Sequence, residues 1–148
     1  MRIAHVTTDE ERLACFDVLQ ELRPSLVRET FLDDLKRLAA QGFALAAAWD
    51  PEVRAVAGFR PMEMFSTGPV LYVDDLVTTE KQRSAGYGEK LLTFLEAHAK
   101  SLGCRYLELD SGTQRLAAHR FYRNHGLAEV ALHFSKPIGD TARWTEHG

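Results

Sequence analysis

At 148 residues, 45% hydrophobic and 26% charged, the chain has the profile of one globular domain, long enough to bury a core without metal or disulfide staples. A formal net charge of −3, with Lys and Arg dispersed among acids, excludes the basic footprint of a nucleic-acid or membrane-surface binder. Cys15 and Cys104 make neither a metal spacing nor a disulfide framework, so both are expected to be reduced and no metal is expected.

The N-terminus carries no apolar secretory core, and the longest apolar run, Phe43 to Trp49, is far short of a membrane span. A cytoplasmic single domain over residues 1–148 is the expectation.

In chain order, Arg2 to Val6 reads as a first strand. Thr8 followed by Asp9, Glu10 and Glu11 reads as a capped helix start. That helix carries Leu13, Phe16, Leu19 and Leu22 and stops ahead of Pro24. A second helix runs from Val27 to Ala40, with Gly42 as its stop. Phe43 to Trp49 and Arg54 to Met64 then form a hairpin about Asp50-Pro51-Glu52, and Val70 to Thr78 is a third extended run after Ser66-Thr67-Gly68-Pro69.

Two glycines, Gly86 and Gly88, stand at the head of an amphipathic helix carrying Tyr87, Leu91, Leu92, Leu95, Ala99 and Leu102 and ending at Gly103. Arg105 to Asp110 reads as a strand, Leu116 to Asn124 as a short helix ending at Gly126, and Ala128 to Lys136 as a last strand. The order β-α-α-β-β-β-α-β-α-β describes an α/β fold. Its mixed central sheet is antiparallel in the N-terminal half, parallel around the glycine helix, and flanked by helices.

Glycines between a strand and a helix often let backbone approach a phosphate. A Walker A loop needs Lys and Ser or Thr directly after its last glycine, but Gly88 is followed by Glu89-Lys90-Leu91. A dinucleotide fingerprint fits better, with Glu108 or Asp110 as its acid. However, Leu91 stands where its third glycine belongs, and too little chain follows to complete such a sheet. The stretch Arg83-Ser84-Ala85-Gly86-Tyr87-Gly88 instead matches a loop of Arg or Gln, two variable residues, Gly, any residue, then Gly or Ala. Helix-start amides lack intrahelical partners and the dipole adds positive charge, so such a loop suits a pyrophosphate. An isolated G-x-G also serves merely to shape a turn. The strand before, the helix after and Arg83 ahead favour the phosphate reading.

With Ala118-His119-Arg120-Phe121-Tyr122-Arg123-Asn124-His125-Gly126-Leu127 downstream, the sequence resembles the GCN5-related N-acetyltransferase (GNAT) family. The likeness follows the order of elements along the whole chain, and its specific motifs cover Val70 to Leu127. The resemblance implies a GNAT-like single domain with acetyl-CoA as co-substrate, its phosphates held by Arg83, Ser84, Ala85, Gly86, Tyr87 and Gly88. It also implies that Leu76, Val77 and Thr78 offer main chain to the pantetheine arm, as in strand addition. Tyr122 would protonate the departing thiolate, since a phenol with a pKa of about 10 keeps its proton at neutral pH. Phe121 is assigned to packing, and Asn124 either reaches the cofactor arm or caps its helix.

An attacking amine must lose a proton. Asp74 and Asp75 are candidate bases by position, Glu63 and Glu108 by sitting on neighbouring strands, and His119 by its intrinsic pKa. The two adjacent acids break strand alternation as a bulge would, and they demand partners or water. Neither Cys15 nor Cys104 stands beside an evident base, which disfavours an acyl-enzyme route.

Ser84 stands where such loops often carry another glycine. After Ala128 to Lys136, Pro137-Ile138-Gly139-Asp140 breaks the chain and Thr141 to Gly148 is a weak remainder, so the sheet edge invites cover by a second subunit, a homodimer. Glu21 to Leu26 is expected to wall the acceptor site, and Trp49, Phe59, Met62, Met64 and Phe65 either line a cavity or fill the core. The acceptor is an amine of a small molecule or peptide, unnamed by the sequence. A non-catalytic acyl-CoA sensor or scaffold is the competing class.

Overall fold

The structure, a computed structural model, describes residues 1–140, and for Gln82, Arg83 and Ser84 the backbone alone. The remainder expected at Thr141 to Gly148 lies outside the described residues. The chain divides into two compact units, Met1–Leu109 and Asp110–Gly148.

The first unit opens with β1 (Arg2–His5) and α1 (Asp9–Ala14). Thr8 starts α1 as expected: its hydroxyl accepts from the Glu11 amide at 3.1 Å, and the Glu11 carboxylate accepts from the Thr8 amide at 3.2 Å. Two otherwise orphaned donors are satisfied reciprocally. The single helix expected up to Pro24 is divided in two. The Cys15 amide bonds to the Arg12 carbonyl at 3.1 Å, one residue short of the α pattern, and α2 (Phe16–Leu22) follows at once. With the turn tightened there, Cys15, Phe16, Val18 and Leu19 are all buried. Then come α3 (Arg28–Ala39), β2 (Ala44–Trp49), β3 (Val53–Met64) and β4 (Gly68–Thr78). A short 3-10 helix, Glu80–Ala85, leads into α4 (Tyr87–Ser101), and β5 (Tyr106–Glu108) completes the sheet.

The strand order is β1-β2-β3-β4-β5. The first three pairings are antiparallel and β4 pairs with β5 in parallel, which is the mixed α/β arrangement expected. Alternation along the strands supplies two apolar faces. Leu45, Ala47 and Val56 join Cys15, Phe16, Leu19, Phe31 and Leu35 on the side of α1–α3. Ala46, Ala48, Ala55, Ala57 and Phe59 join Leu91, Leu95 and Ala99 of α4 on the other. The four alanines form a low floor on which the long leucines of α4 rest. Burying Leu91 and Leu95 contributes roughly 1.5–3 kcal/mol each. The helix ends by a left-handed turn at Gly103 (φ +75°), with the Cys104 amide bonded to Ala99 O at 2.9 Å and the Gly103 amide to Lys100 O at 3.1 Å.

The register of β4 shifts once. Gly58 faces Asp75 while Phe59 faces Val73, so Asp74 is an extra residue in the ladder. This is the bulge that the paired acids foretold. Leu71 and Val73 point into the α4 core and Val77 into the α1–α3 core, although simple alternation puts all three on one side.

The second unit carries α5 (Leu116–Asn124). Here one expectation fails. The strand predicted over Ala128–Lys136 does not form, and its backbone joins no ladder among the described residues. Val130, Leu132 and Phe134 alternate like strand residues yet stand exposed. Periodicity marks which side of a ribbon is apolar, whereas a strand also needs a partner for its amides, and no pattern within one segment reports that. Among the described residues no helix is long and apolar enough to cross a membrane.

Two stability outcomes follow from the first unit. A Cβ at Gly58 would lie 2.5 Å from Phe43 Cζ and 3.1 Å from Asp75 Oδ2. Gly58→Ala is therefore expected to cost about 1–3 kcal/mol of unfolding free energy in a urea titration. The rings of His5 and His98 lie 4.7 Å apart beside Phe94, and burial first, then His5, pushes the His98 pKa down. A base depressed in the folded state leaves the unfolded chain binding more protons. Its contribution to stability is then full above about pH 6.5 and is lost as pH falls towards the folded value. His98→Phe is expected to flatten the acid-side loss of melting temperature; an unchanged slope contradicts this assignment.

Candidate active site

The carboxylates of Asp74 and Asp75 are matched to arginines. Arg60, on the paired strand β3, donates to both oxygens of Asp74, Nη2 to Oδ2 at 2.7 Å and Nε to Oδ1 at 3.1 Å. The same guanidinium bonds Gln41 and stands 5.2 Å from the centroid of the Phe43 ring. Arg23, just past the end of α2, donates from Nε to Asp75 Oδ1 at 2.7 Å and from Nη2 to the Asp74 carbonyl at 3.1 Å. Bulging places both acids toward the α1–α3 side, where the chain supplies these cations. Burial pushes the Asp75 pKa up, and the Arg23 charge and hydrogen bond draw it partly back.

The other edge of β4 is open over its second half. Pairing with β5 runs Val70↔Tyr106, Leu71↔Leu107 and Tyr72↔Glu108 and stops there, while β4 continues to Thr78. From Val73 onward, that edge carries no neighbouring strand among the described residues. The backbone of Leu76, Val77 and Thr78 is held from one side only, by Ala57, Val56 and Ala55 of β3. An extended, amide-bearing ligand finds there the row of donors and acceptors that a strand would use.

The strand leads through the 3-10 helix Glu80–Ala85 to the glycine turn. Gly86 has φ +81° and is the N-cap of α4, with no side-chain cap bond. A Cβ at Gly86 would meet no protein atom within 4 Å, so backbone conformation rather than crowding demands glycine there. Gly88 lies within the first turn of α4. The Tyr87 side chain faces inward: it is buried in the α4 core, and its hydroxyl donates to Asp50 Oδ2 at 2.7 Å, a bond that raises its pKa. The loop is thus tied to the β2–β3 turn, where Arg54 Nε also holds the Asp50 carbonyl. Ala85 is exposed, and the side chains of Arg83 and Ser84 lie outside the described residues.

Tyr122 and Asn124 belong to the second unit. Tyr122 is half-buried, and desolvation raises its pKa against a smaller lowering by Arg115. Its ring packs edge-on against Phe121 at 5.5 Å between centroids, consistent with packing for Phe121. The helix closes on main chain: Leu127 N–H bonds Tyr122 O at 3.0 Å and Gly126 N–H bonds Arg123 O at 3.1 Å, with Gly126 at φ +89°. Asn124, exposed in the last turn, is therefore not the cap. His119 Nε2 is engaged with the Gly112 carbonyl at 2.8 Å. Glu63 is exposed on the outer half of β3, and Glu108 ends β5. Of the proposed cavity set, Phe59 is buried in the α4 core and Trp49 packs against the α1–α3 core, while Met62, Met64 and Phe65 are exposed.

From sequence, Glu21 and Arg23 stand only in the expected wall of the acceptor site and Asp50 only in a turn, and nothing marks Arg60. A signal existed for the arginines, because two acids in an apolar strand require cations. Choosing Arg23 and Arg60 among all arginines required the strand register and the end of α2.

Residues 7–127 match the model of the family described as the Acetyltransferase (GNAT) family. The chain is 33% identical over 141 residues to the uncharacterized N-acetyltransferase YhdJ of Bacillus subtilis (strain 168), covering 93% of this chain and 99% of that protein. Among solved structures it is similar to aminoglycoside N-acetyltransferase AAC(6')-Iy in complex with CoA, with a TM-score of 0.80 at 15% identity, over 93% of this chain and 95% of that one. It is also similar to glucosamine-6-phosphate N-acetyltransferase from Arabidopsis thaliana, with a TM-score of 0.74 at 20% identity, over 93% and 98%. At those identities the structural likeness is one of fold. The family match and the YhdJ relationship carry more: the chain belongs to the GNAT family and is an acetyl-CoA-dependent N-acetyltransferase.

Proposed function

We propose that the enzyme moves the acetyl group directly from acetyl-CoA to a primary amine of a small molecule or peptide, within one catalytic domain. The observation that carries this reading is the end of β4–β5 pairing at Tyr72, with β4 continuing one-sided to Thr78 and the 3-10 helix Glu80–Ala85 joining it to the left-handed turn at Gly86. Leu76, Val77 and Thr78 pair with the pantetheine amides, and the backbone from Arg83 to Gly88 meets the pyrophosphate at the positive end of α4. The Asn124 side chain binds the cofactor arm. The family match from residue 7 to residue 127 runs through both compact units, which supports treating them as one functional domain.

In this mechanism Tyr122 donates its proton to sulfur as the C–S bond breaks and the amine nitrogen bonds to the acyl carbon. Its raised pKa keeps it protonated at neutral pH, as an acid for that step must be. Asp75 takes the amine proton, directly or through water. Burial makes it a stronger base than a free carboxylate, and Arg23 engages only one of its oxygens, whereas Arg60 occupies both oxygens of Asp74. Asp74 supplies charge and shape on the acceptor side. Direct transfer is further supported by Cys15, a fully buried thiol whose pKa burial pushes up to about 12, which leaves no thiolate for an acyl-enzyme.

Thiol release from acetyl-CoA over a panel of amines tests the assignment. Tyr122→Phe is expected to lower kcat about 100-fold or more while coenzyme A still binds; wild-type turnover in that variant removes the acid role. Gly86→Val sets a β-branched residue at φ +81° and is expected to abolish coenzyme A binding in calorimetry while the circular dichroism spectrum is retained. Intact binding in both Gly86→Val and Gly88→Val contradicts the phosphate-loop reading.

A further inference from the structure

Two charged side chains at the end of α2, two residues apart, reach opposite ends of one segment. Arg23 holds the near end at the bulge, through Asp75 Oδ1 at 2.7 Å and the Asp74 carbonyl at 3.1 Å. Glu21 holds the far end: its Oε2 accepts from the Thr79 hydroxyl at 2.8 Å and its Oε1 from the Glu80 amide at 2.9 Å. Thr79 is the cap of the 3-10 helix that leads to the glycine turn, and its own side chain makes no capping bond. Between the two attachments, Val77 is buried in the same core as Val18 and Leu19 of α2. Past α2 the chain is itself braced, by Gln20 Nε2 on Leu26 O and by Leu26 N–H on Arg23 O, each at 3.1 Å.

We infer that Glu21 and Arg23 are positioning residues for acetyl-CoA: as a two-point clamp they set the height and twist of Leu76–Thr78, the backbone that the pantetheine arm pairs with. This rests on the cofactor reading proposed above. The segment needs such a clamp because a strand bonded on one side, just after a bulge, is free to twist about its remaining ladder. Main-chain pairing with a ligand tolerates only about half an ångström of misplacement. The clamp is also suited to function over stability. Glu21 is exposed, and exposed charged bonds contribute little to folding. Its two acceptor bonds converge on the one junction between the strand and the phosphate loop.

Calorimetric titration with coenzyme A tests the clamp without an acceptor, beside melting temperatures for every variant. Arg23→Met leaves buried Asp75 without its hydrogen-bonded cation and can lose the fold, so Glu21→Gln and Thr79→Val carry the test. Each is expected to raise the Kd for coenzyme A about tenfold, as misplacement of a ligand-pairing backbone does, with a melting temperature near that of wild type. The double variant is expected to be less than additive, because both changes act on one bond. Arg23→Lys, where folded, is expected to fall between wild type and Arg23→Met. If wild type binds coenzyme A and the folded Glu21→Gln and Thr79→Val proteins bind it equally well, the clamp is refuted while the cofactor site stands. A loss of binding-competent protein with unchanged Kd marks a purely structural role and equally refutes it. If wild type itself fails to bind, the cofactor reading fails and the clamp with it.

Discussion

Much of the molecule depends on how a buried strand accommodates two consecutive carboxylates. A strand sends neighbours to opposite faces, so Asp74 and Asp75 in perfect alternation would drive one charge into the leucines of α4. The chain inserts Asp74 as a bulge, turns both acids to the side of the early helices, and meets each with an arginine. Gly58 makes room opposite, where Phe43 and Asp75 occupy the volume a side chain would take. One irregularity thereby fixes the phase of β4, the need for Arg23 and Arg60, and the orientation of the backbone that continues to Thr78.

The order of elements was legible because each left a local mark: Thr8 with Glu11 at a helix start, the apolar stripe from Tyr87 to Ala99, and Gly103 at its stop. The bulge was legible too, since adjacent acids in an apolar run have few solutions. The misreadings were of another kind. At Cys15 a tighter turn replaced continuous helix, driven by packing from elements distant in sequence. At Ala128–Lys136 a strand-like alternation found no ladder. Within the candidate site, the glycine turn could be named from its spacing, and the β4 segment only from the family resemblance. The inward turn of Tyr87 towards Asp50 could not, because it depends on where the β2–β3 turn lies in space.

The glycine turn shows how a stretch of main chain acquires rigidity. Peptide groups cannot be aimed by rotamers, so they must be aimed by what holds the chain on either side. Downstream, α4 is seated on Ala46, Ala48, Ala55 and Ala57 and bonded through Tyr87. Upstream, the 3-10 helix begins on Thr79, which bonds Arg54 O through its amide and Glu21 through its hydroxyl. Within this turn Gly86 takes a conformation that other residues resist, and it sits at the junction of these two supports.

The open half of β4 has a consequence for solubility. An edge that offers unpaired main-chain groups to an amide-rich ligand offers them equally to any extended peptide, including another copy of this chain. Charged side chains at Asp74 and Asp75 cannot guard it, because their arginines hold them on the face of the sheet rather than along its rim. In the proposed binding mode the co-substrate would double as the edge's cover. On that binding mode, self-association of the chain would compete with acetyl-CoA for the same row of main-chain groups.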